Sequence, residues 1–356
     1  LAAILASPAL LPQEKKRKGK KGEEEITQTL PALPDPPPAV AGETRRLVFH
    51  VAPLSSKGLL SQQTRDGLKA LWNANRGAQI IKIRAFVAGT GDLRRVPQII
   101  AEEFSEKHQA VPAVSVIQVG ALPVEGAQVQ LESVGVAGKV VNPDGIAFFA
   151  GKAAPTPEES FAGLKQVADS LGIDARAVLR TTCFLSNLDD GTKALAAARA
   201  TFPATELSIM QLQRIPGVPL TECECVARLS APPDAPVKMA SPVESARNSA
   251  YSQVALVNAE RLVFSGLQMG FGAAEADARL AFDRVKKTIE ALGASLKRTV
   301  MSNWYPLTAA ARDRMRSLRF SYFDESHPPA STVLLYEGLP SLDAIFGLEV
   351  VAATER

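Results

Sequence analysis

The sequence predicts an α+β protein of three tandem units, each a mixed β-sheet with two helices on one face. Two observations carry this. A strand phrase that opens on Pro-Ala and closes on a second proline recurs at PAVSVIQVGALP (112–123), PATELSIMQLQRIP (203–216) and PASTVLLYEGLP (329–340). Eight or nine residues after each, one glutamate stands inside another apolar run: Glu132, Glu224 and Glu349. The similarity extends upstream of these phrases, giving units of roughly 95–110 residues, a period that indicates tandem domains rather than a solenoid of small repeats.

Each unit begins with a short apolar segment, a turn and a longer apolar run. PPAVAGE leads into ETRRLVFHV (43–51), AGKVVNPDG into DGIAFFAGK (144–152), and YSQVALVNAE into AERLVFSGL (259–267). Apolar runs broken by Gly, Asn and Asp read as β-hairpins. A helix follows. FAGLKQVADSLG sets Phe161, Leu164, Val167, Ala168 and Leu171 on one side, and AFDRVKKTIEALG does the same with Phe282, Val285, Ile289 and Leu292. Both close on glycine, a usual helix stop. The first copy, LLSQQTRDGLKALWNANRG, is a poorer helix with Gly67 inside it. Next come a strand (IIKIRAFVAG, VLRTTCFLSN, TVMSNWYPLT) and a second helix, clearest in VPQIIAEEFSEKH. The Pro-Ala strand and the glutamate strand complete the order β-β-α-β-α-β-β.

The expected boundaries are a tail at 1–37, units at 38–137 and 138–230, a linker at 231–243 (APPDAPVKMASP), and a third unit at 244–356. A sheet with both helices on one face leaves the other face uncovered. Three such faces in one chain can cover one another, which predicts a monomeric, internal pseudo-trimer.

Composition narrows the function. A hydrophobic content of 46% and a charged content of 22% are ordinary for a globular protein. Of the net charge of +3, much comes from Lys15, Lys16, Arg17, Lys18, Lys20 and Lys21, so the body is near neutral. That argues against a nucleic-acid footprint, which needs a concentrated basic face. The opening LAAILASPALLPQ is too short to span a bilayer, so no transmembrane segment is expected. It reads as a truncated signal peptide, implying export, or else as an apolar tail on a cytoplasmic protein. KKRKGKKGEEE reads as a solvated charge block and LPALPDPPP as a stiff linker. Cys183, Cys223 and Cys225 give no disulfide framework and are expected as buried free thiols. His50, His108 and His327 lie far apart, so no metal site is expected.

The third unit, with YSQVALV, RLVFSGLQ, ALGASLKRTV and HPPASTVLLYEGLP followed by GLEVVA, resembles the Rid (YjgF, L-PSP endoribonuclease-like) family. LRTTCFLSNLDD in the second unit is another phrase similar to that family. The resemblance implies three chorismate-mutase-like domains joined in one chain, with small-molecule sites in the clefts between them. It implies hydrolysis of imines and enamines derived from amino acids, a deaminase chemistry with no metal or organic cofactor.

The family's arginine directly after Pro-Ala clamps a substrate carboxylate through a bidentate contact suited to its planar fork. Here the matching positions are Val114, Thr205 and Ser331, so the clamp is absent from all three units. Arg46, Arg180 and Arg298 are the candidate replacements. Tyr251, Ser265 and Gly266 match positions lining the family's cleft. Ser265 corresponds to Ala150 and His50, and Gly266 to Gly151 and Val51. Glu349, with Glu224 and Glu132, matches a glutamate the family places at the site.

Strand alternation puts Glu224 opposite Cys223 and Cys225, hence toward the interdomain face. There a glutamate activates water as a general base, or accepts hydrogen bonds that fix domain packing. Three readings of function follow. The first is a Rid-type hydrolase for imines or enamines, shifted by the lost arginine toward substrates without a carboxylate. The alternative is a catalytically inactive ligand-binding or scaffold protein. The third, a ribonuclease, is opposed by the near-neutral body and the lack of a His/Lys constellation.

Overall fold

The computed structural model describes residues 33–355, except 90–91, 214–217 and 244–249. The expected signal peptide and charge block therefore lie outside the described residues. No described helix is long and apolar enough to cross a membrane.

The first unit runs β1 (Ala39–Glu43), β2 (Leu47–Val51), α1 (Leu60–Asn75), β3 (Gln79–Ala88), α2 (Arg95–Glu106), β4 (Ala113–Val119) and β5 (Val129–Val136). The second runs β6 (Ile146–Ala154), α3 (Pro157–Ser170), β7 (Val178–Leu185), α4 (Gly191–Thr201), β8 (Glu206–Gln211) and β9 (Thr221–Arg228). Then follow β10 (Val237–Ala240), β11 (Val254–Val257), β12 (Arg261–Ser265), β13 (Gln268–Gly270), α5 (Glu275–Glu290), β14 (Ala294–Pro306), α6 (Ala309–Tyr322), β15 (Ala330–Val333) and β16 (Phe346–Thr354).

Local chemistry accounts for the helices. Thr156 and Thr308 cap α3 and α6 by accepting from Glu159 N–H and Ala311 N–H, and Pro157 opens α3. Gly67, which weakens α1 on propensity, serves packing: a Cβ there would come within 2.9 Å of Leu131 Cδ1. Glycine thus lets α1 lie close against β5.

Three sheets form, ordered β2-β5-β3-β4, β10-β11-β6-β9-β7-β8 and β1-β12-β16-β14-β15, with β13 also on β16. In each, the glutamate strand lies antiparallel to the long strand, which pairs parallel with the Pro-Ala strand.

The hairpins expected at the start of each unit do not form. β1 pairs not with β2 but with β12, and β11 pairs not with β12 but with β6. The segment expected to open the second unit's hairpin stays irregular, donating from Val141 and Asn142 N–H to Arg45 O. The first strand is thus handed to a neighbouring sheet. The hand-over satisfies as many backbone groups as a local hairpin and also ties one sheet to the next. Part of the expected linker is strand as well: β10 lies inside 231–243 and pairs with β11.

The core has two kinds of region. Separate apolar clusters fill the space between each sheet and its own helices. Two further clusters lie where the sheets face one another. One brings together Phe49, Phe148 and Phe264, which occupy the same register position opposite Val134, Val226 and Val351. The other gathers Phe86, Phe184 and Tyr305, again one per sheet.

Candidate functional site

Between those two aromatic layers lies a charged one. Glu132, Glu224 and Glu349 stand directly across from Arg84, Thr182 and Asn303 on the neighbouring strands. Ser115, Ser208 and Thr332 stand one strand further on. All three glutamates are buried, and all three lie around Arg84, with Lys82 and Arg180 beside them. Arg84 donates through Nε to Glu132 and through Nη2 to Glu224, both at 2.9 Å, and its Nη1 lies 3.7 Å from Glu349.

Neighbouring units supply the remaining donors. The Thr182 hydroxyl donates to Glu132 at 2.6 Å. Asn303 Nδ2 and the Thr332 hydroxyl reach Glu224 Oε2 at 2.7 and 2.5 Å. Glu349 accepts from the Tyr305 hydroxyl at 2.6 Å, from Lys82 Nζ at 2.5 Å, and from the Ser115 hydroxyl. Both oxygens of all three carboxylates are therefore engaged.

Burial by itself pushes the Glu132 carboxyl up, but Arg84, Arg180 and the Thr182 hydroxyl outweigh it and bring it down to about 2. Glu349, also opposed by burial, is held low by Lys82 and Arg84. Burial pulls Lys82 below its ordinary value despite Glu349. Carboxylates this strongly stabilised as anions are weak bases. The cavity beside them measures about 50 Å³. That is far below the several hundred Å³ of a small-molecule pocket, though room for water.

The candidate cleft residues divide among three boundaries. Between the first and third sheets, Leu267 N–H donates to Val114 O at 3.2 Å, while Gly266 N–H extends the β1–β12 ladder of the third sheet to Pro38 O at 2.8 Å. A Cβ on Gly266 would come within 3.0 Å of Val114 O. Ser265 turns its hydroxyl to Val350 N–H at 2.9 Å, and its carbonyl accepts from Lys82 at 2.7 Å. This boundary is closed by hydrogen bonds.

Between the first and second sheets, Glu206 fills the gap. It takes the His50 ring at 2.6 Å and also the Val51 N–H. Thr205 lies just before β8, its hydroxyl 2.9 Å from that of Thr181. The register places Leu207, not Thr205, at the position of Val114 and Ser331, because this strand phrase is longer by two residues. A bulge after Phe149 likewise makes Phe149, rather than Ala150, the counterpart of Ser265 and His50.

Between the second and third sheets the chemistry differs. Ser252 N–H bonds Pro329 O at 3.2 Å and Ala150 N–H bonds Gln253 O at 2.9 Å. These bonds set Tyr251 between the Ala150–Gly151 bulge and the strand carrying Ser331, whose hydroxyl lies 2.7 Å from that of Ser302. Against Gly151 lies Glu222, so close that a Cβ there would overlap its carboxylate. Glu222 is only 9% exposed, and no described residue gives it a hydrogen bond or ion pair. Burial, reinforced by the Glu224 charge, pushes it up to about 8, and Arg316 on α6 opposes this only in part. Burial and the Glu222 charge likewise raise Tyr251. Tyr251 is thus separated from Ser265, Gly266 and Glu349, with which the sequence grouped it.

Of the candidate replacement arginines, Arg180 is 3.6 Å from Glu132, and Arg46 is taken by Glu43 and Ala137 O. Arg298 is partly buried beside the β14 bulge. Lys82, Arg84, Glu222 and Arg316 escaped the sequence reading. Lys82 and Arg84 had a signal, two cations on one face of an otherwise apolar strand, and Glu222 shares a face with Glu224. Arg316 had none.

The cysteine expectation is corrected. Cys183 and Cys223, directly opposed on β7 and β9 with Cα atoms 4.2 Å apart, form a disulfide. Cys225 alone is a free, buried thiol. Linear spacing could not show that two different strands bring 183 and 223 face to face.

No family model matches the sequence, and no curated protein matches it. Among solved structures, a YjgF-family protein from Neisseria meningitidis is 11% identical, covering 34% of this chain and 96% of its own, with TM-score 0.25. Yeast Mmf1 is 22% identical over 34% of this chain and 98% of its own, with TM-score 0.24. A protein of unknown function of the Rid family from Yersinia pestis is 11% identical over 33% and 99%, with TM-score 0.29. The solved structures to which this chain is similar are thus YjgF/Rid proteins, each matching about a third of it.

Proposed function

We propose that this chain is a single-chain, Rid-like pseudo-trimer with one chemically active cleft, between its second and third sheets. The layered meeting of equivalent residues from three sheets supports the pseudo-trimer. The observation that carries the active cleft is Glu222, a buried carboxyl without a described partner, held protonated near neutral pH beside Gly151, Tyr251 and Arg316. A buried acid with a strongly raised pKa in a cleft has the character of a catalytic group.

The reaction that suits it is hydrolysis of an imine or its enamine tautomer. Glu222 donates its proton to the imine nitrogen, and water adds to the C=N carbon. The resulting carboxylate takes a proton from the added water. Glu222 then protonates the amine of the carbinolamine, the C–N bond breaks to release ammonia, and the carboxylate takes the hydroxyl proton as the carbonyl compound forms. Arg316, exposed at the rim and without an ion-pair partner among the described residues, attracts a substrate carboxylate in place of the lost clamp. Glu132, Glu224 and Glu349 act as the packing hub in this reading. The buried disulfide agrees with folding outside the reducing cytosol, and so with export.

The test is ammonia release from imino acids generated in situ by an amino-acid oxidase, with semicarbazide reporting the surviving imine and an uncharged imine run alongside. Acceleration is expected, lost in Glu222→Gln on both substrates, and lost in Arg316→Ala only on the carboxylate-bearing one. No acceleration on either substrate would favour the inactive, ligand-binding or scaffold reading, which the closed state of the other two boundaries supports.

A further inference from the structure

The three sheets end differently. The outer edge of β12 is covered by β1, and that of β6 by β11. Ala39 and Ala41 of β1, and Val254 of β11 with Ala240, thereby pack into the apolar clusters beneath α5 and α3. Among the described residues no strand covers β2, the equivalent edge of the first sheet.

Other groups seal only its two ends. Ala52 N–H bonds Leu131 O, so along β2 the pairs at Val48 and His50 face β5, while Leu47, Phe49 and Val51 turn their backbone groups outward. Leu47 O accepts from Asn142 Nδ2 at 2.8 Å. Val51 N–H is held by Glu206. Phe49, between them, has no backbone partner on that side among the described residues. Alongside runs a groove of about 740 Å³, walled by Val48, His50, Ala78 and Val141. It is rimmed by Arg76 and Lys139, with Glu206, already engaged by His50 and Val51, at one end.

We infer that this edge is a docking site for an extended peptide strand from a partner protein, with small apolar side chains at alternate positions and an acidic residue at one end. The two covered edges define the occupant's apolar character, since each is filled by a four- or five-residue apolar strand, AVAGE and VALV, and AVAGE, the model for the occupant, ends on an acid. Arg76 and Lys139 supply the complement for the acid. Main-chain hydrogen bonds would provide the affinity and the groove the selection of side chains. An uncovered edge that served nothing would also be an aggregation liability.

The probe is a fluorescent peptide copying residues 36–44, PPPAVAGET, titrated into the full chain and followed by anisotropy. In the register of β1 on β12, its valine opposes the Phe49 position. Saturable binding with a midpoint below ~1 mM is expected, weakened at least ~10-fold when that valine is proline, which cannot donate. Lys139→Glu, at an exposed position, should weaken the parent peptide but not a version with glutamine for glutamate. No saturation up to ~1 mM, or proline-insensitive binding, overturns the inference. So does a protein whose mass doubles with concentration, which would assign the edge to a second copy. Binding by a chain starting at residue 33 but not by the full chain would assign it to the protein's own N-terminal segment, and equally overturn it.

Discussion

Glu132 and Glu222, both on glutamate strands, illustrate how placement sets the behaviour of one residue type. Glu132 is held ionised by Arg84, with its carboxyl near 2 against an ordinary 4.5. Its stabilising contribution is complete above about pH 4.5 and is lost as pH falls toward 2, at most about 3 kcal/mol. Glu222 has the opposite sign. The folded chain keeps its proton up to about pH 8, while the unfolded chain loses it near 4.5. Its contribution is therefore fully present below about 4.5 and is lost as pH rises to 8. Urea unfolding of Glu222→Gln should thus show higher stability than the parent above pH 8, on the order of 3–5 kcal/mol, and little difference near pH 4. An unchanged alkaline limb would contradict a protonated Glu222. The sequence displays both glutamates without telling them apart, because a carboxylate's environment comes from residues far away in the chain, such as Arg316 for Glu222.

Most of the elements were legible. The helices in VPQIIAEEFSEKH and FAGLKQVADSLG lie where their periodicity places them, at α2 and α3. The long strands and the glutamate strands follow their apolar runs. Pairing was not legible: β1 and β11 have the composition of hairpin arms, yet they cross to other sheets. Local pattern specifies a strand and its faces, but not which of several equivalent edges it finds. The Cys183–Cys223 bond has the same origin, for it depends on the register of β7 against β9. It closes a segment of 40 residues. Replacing both cysteines with alanine, or reducing the bond, should lower stability by about 2–4 kcal/mol in urea melts, and reductant should then have no further effect on the double variant. An identical midpoint with and without the bond would show that the second sheet needs no staple.

At the scale of the whole molecule, the sheets are joined through apolar layers and through the Arg84 hub between them. Breaking one partner of a buried ion pair costs more than the pair contributes, since the others are left uncompensated. Arg84→Ala strands two carboxylates at once and should destabilise the chain by about 3–5 kcal/mol, seen as a lower urea midpoint in a single transition. Loss below about 1 kcal/mol would mean that the hydroxyl and amide donors suffice. The repeats made three related units visible from sequence, and the buried glutamates suggested something at their junction. The identity of the hub was hidden, because Arg84 has no counterpart: the same register position holds Thr182 and Asn303.

That asymmetry has a consequence of stoichiometry. An assembly of identical chains delivers every residue in equal copies, so three carboxylates at a common junction arrive with three of whatever lies opposite them. Three guanidinium groups there would repel one another and overfill the space, and three threonines would leave the carboxylates without charge compensation. One chain that encodes each position separately can set a single arginine against an amide and a hydroxyl. A ratio of one to three at that register position, with Lys82 and Arg180 adding charge beside it, is open only to a polypeptide that writes its repeats out individually.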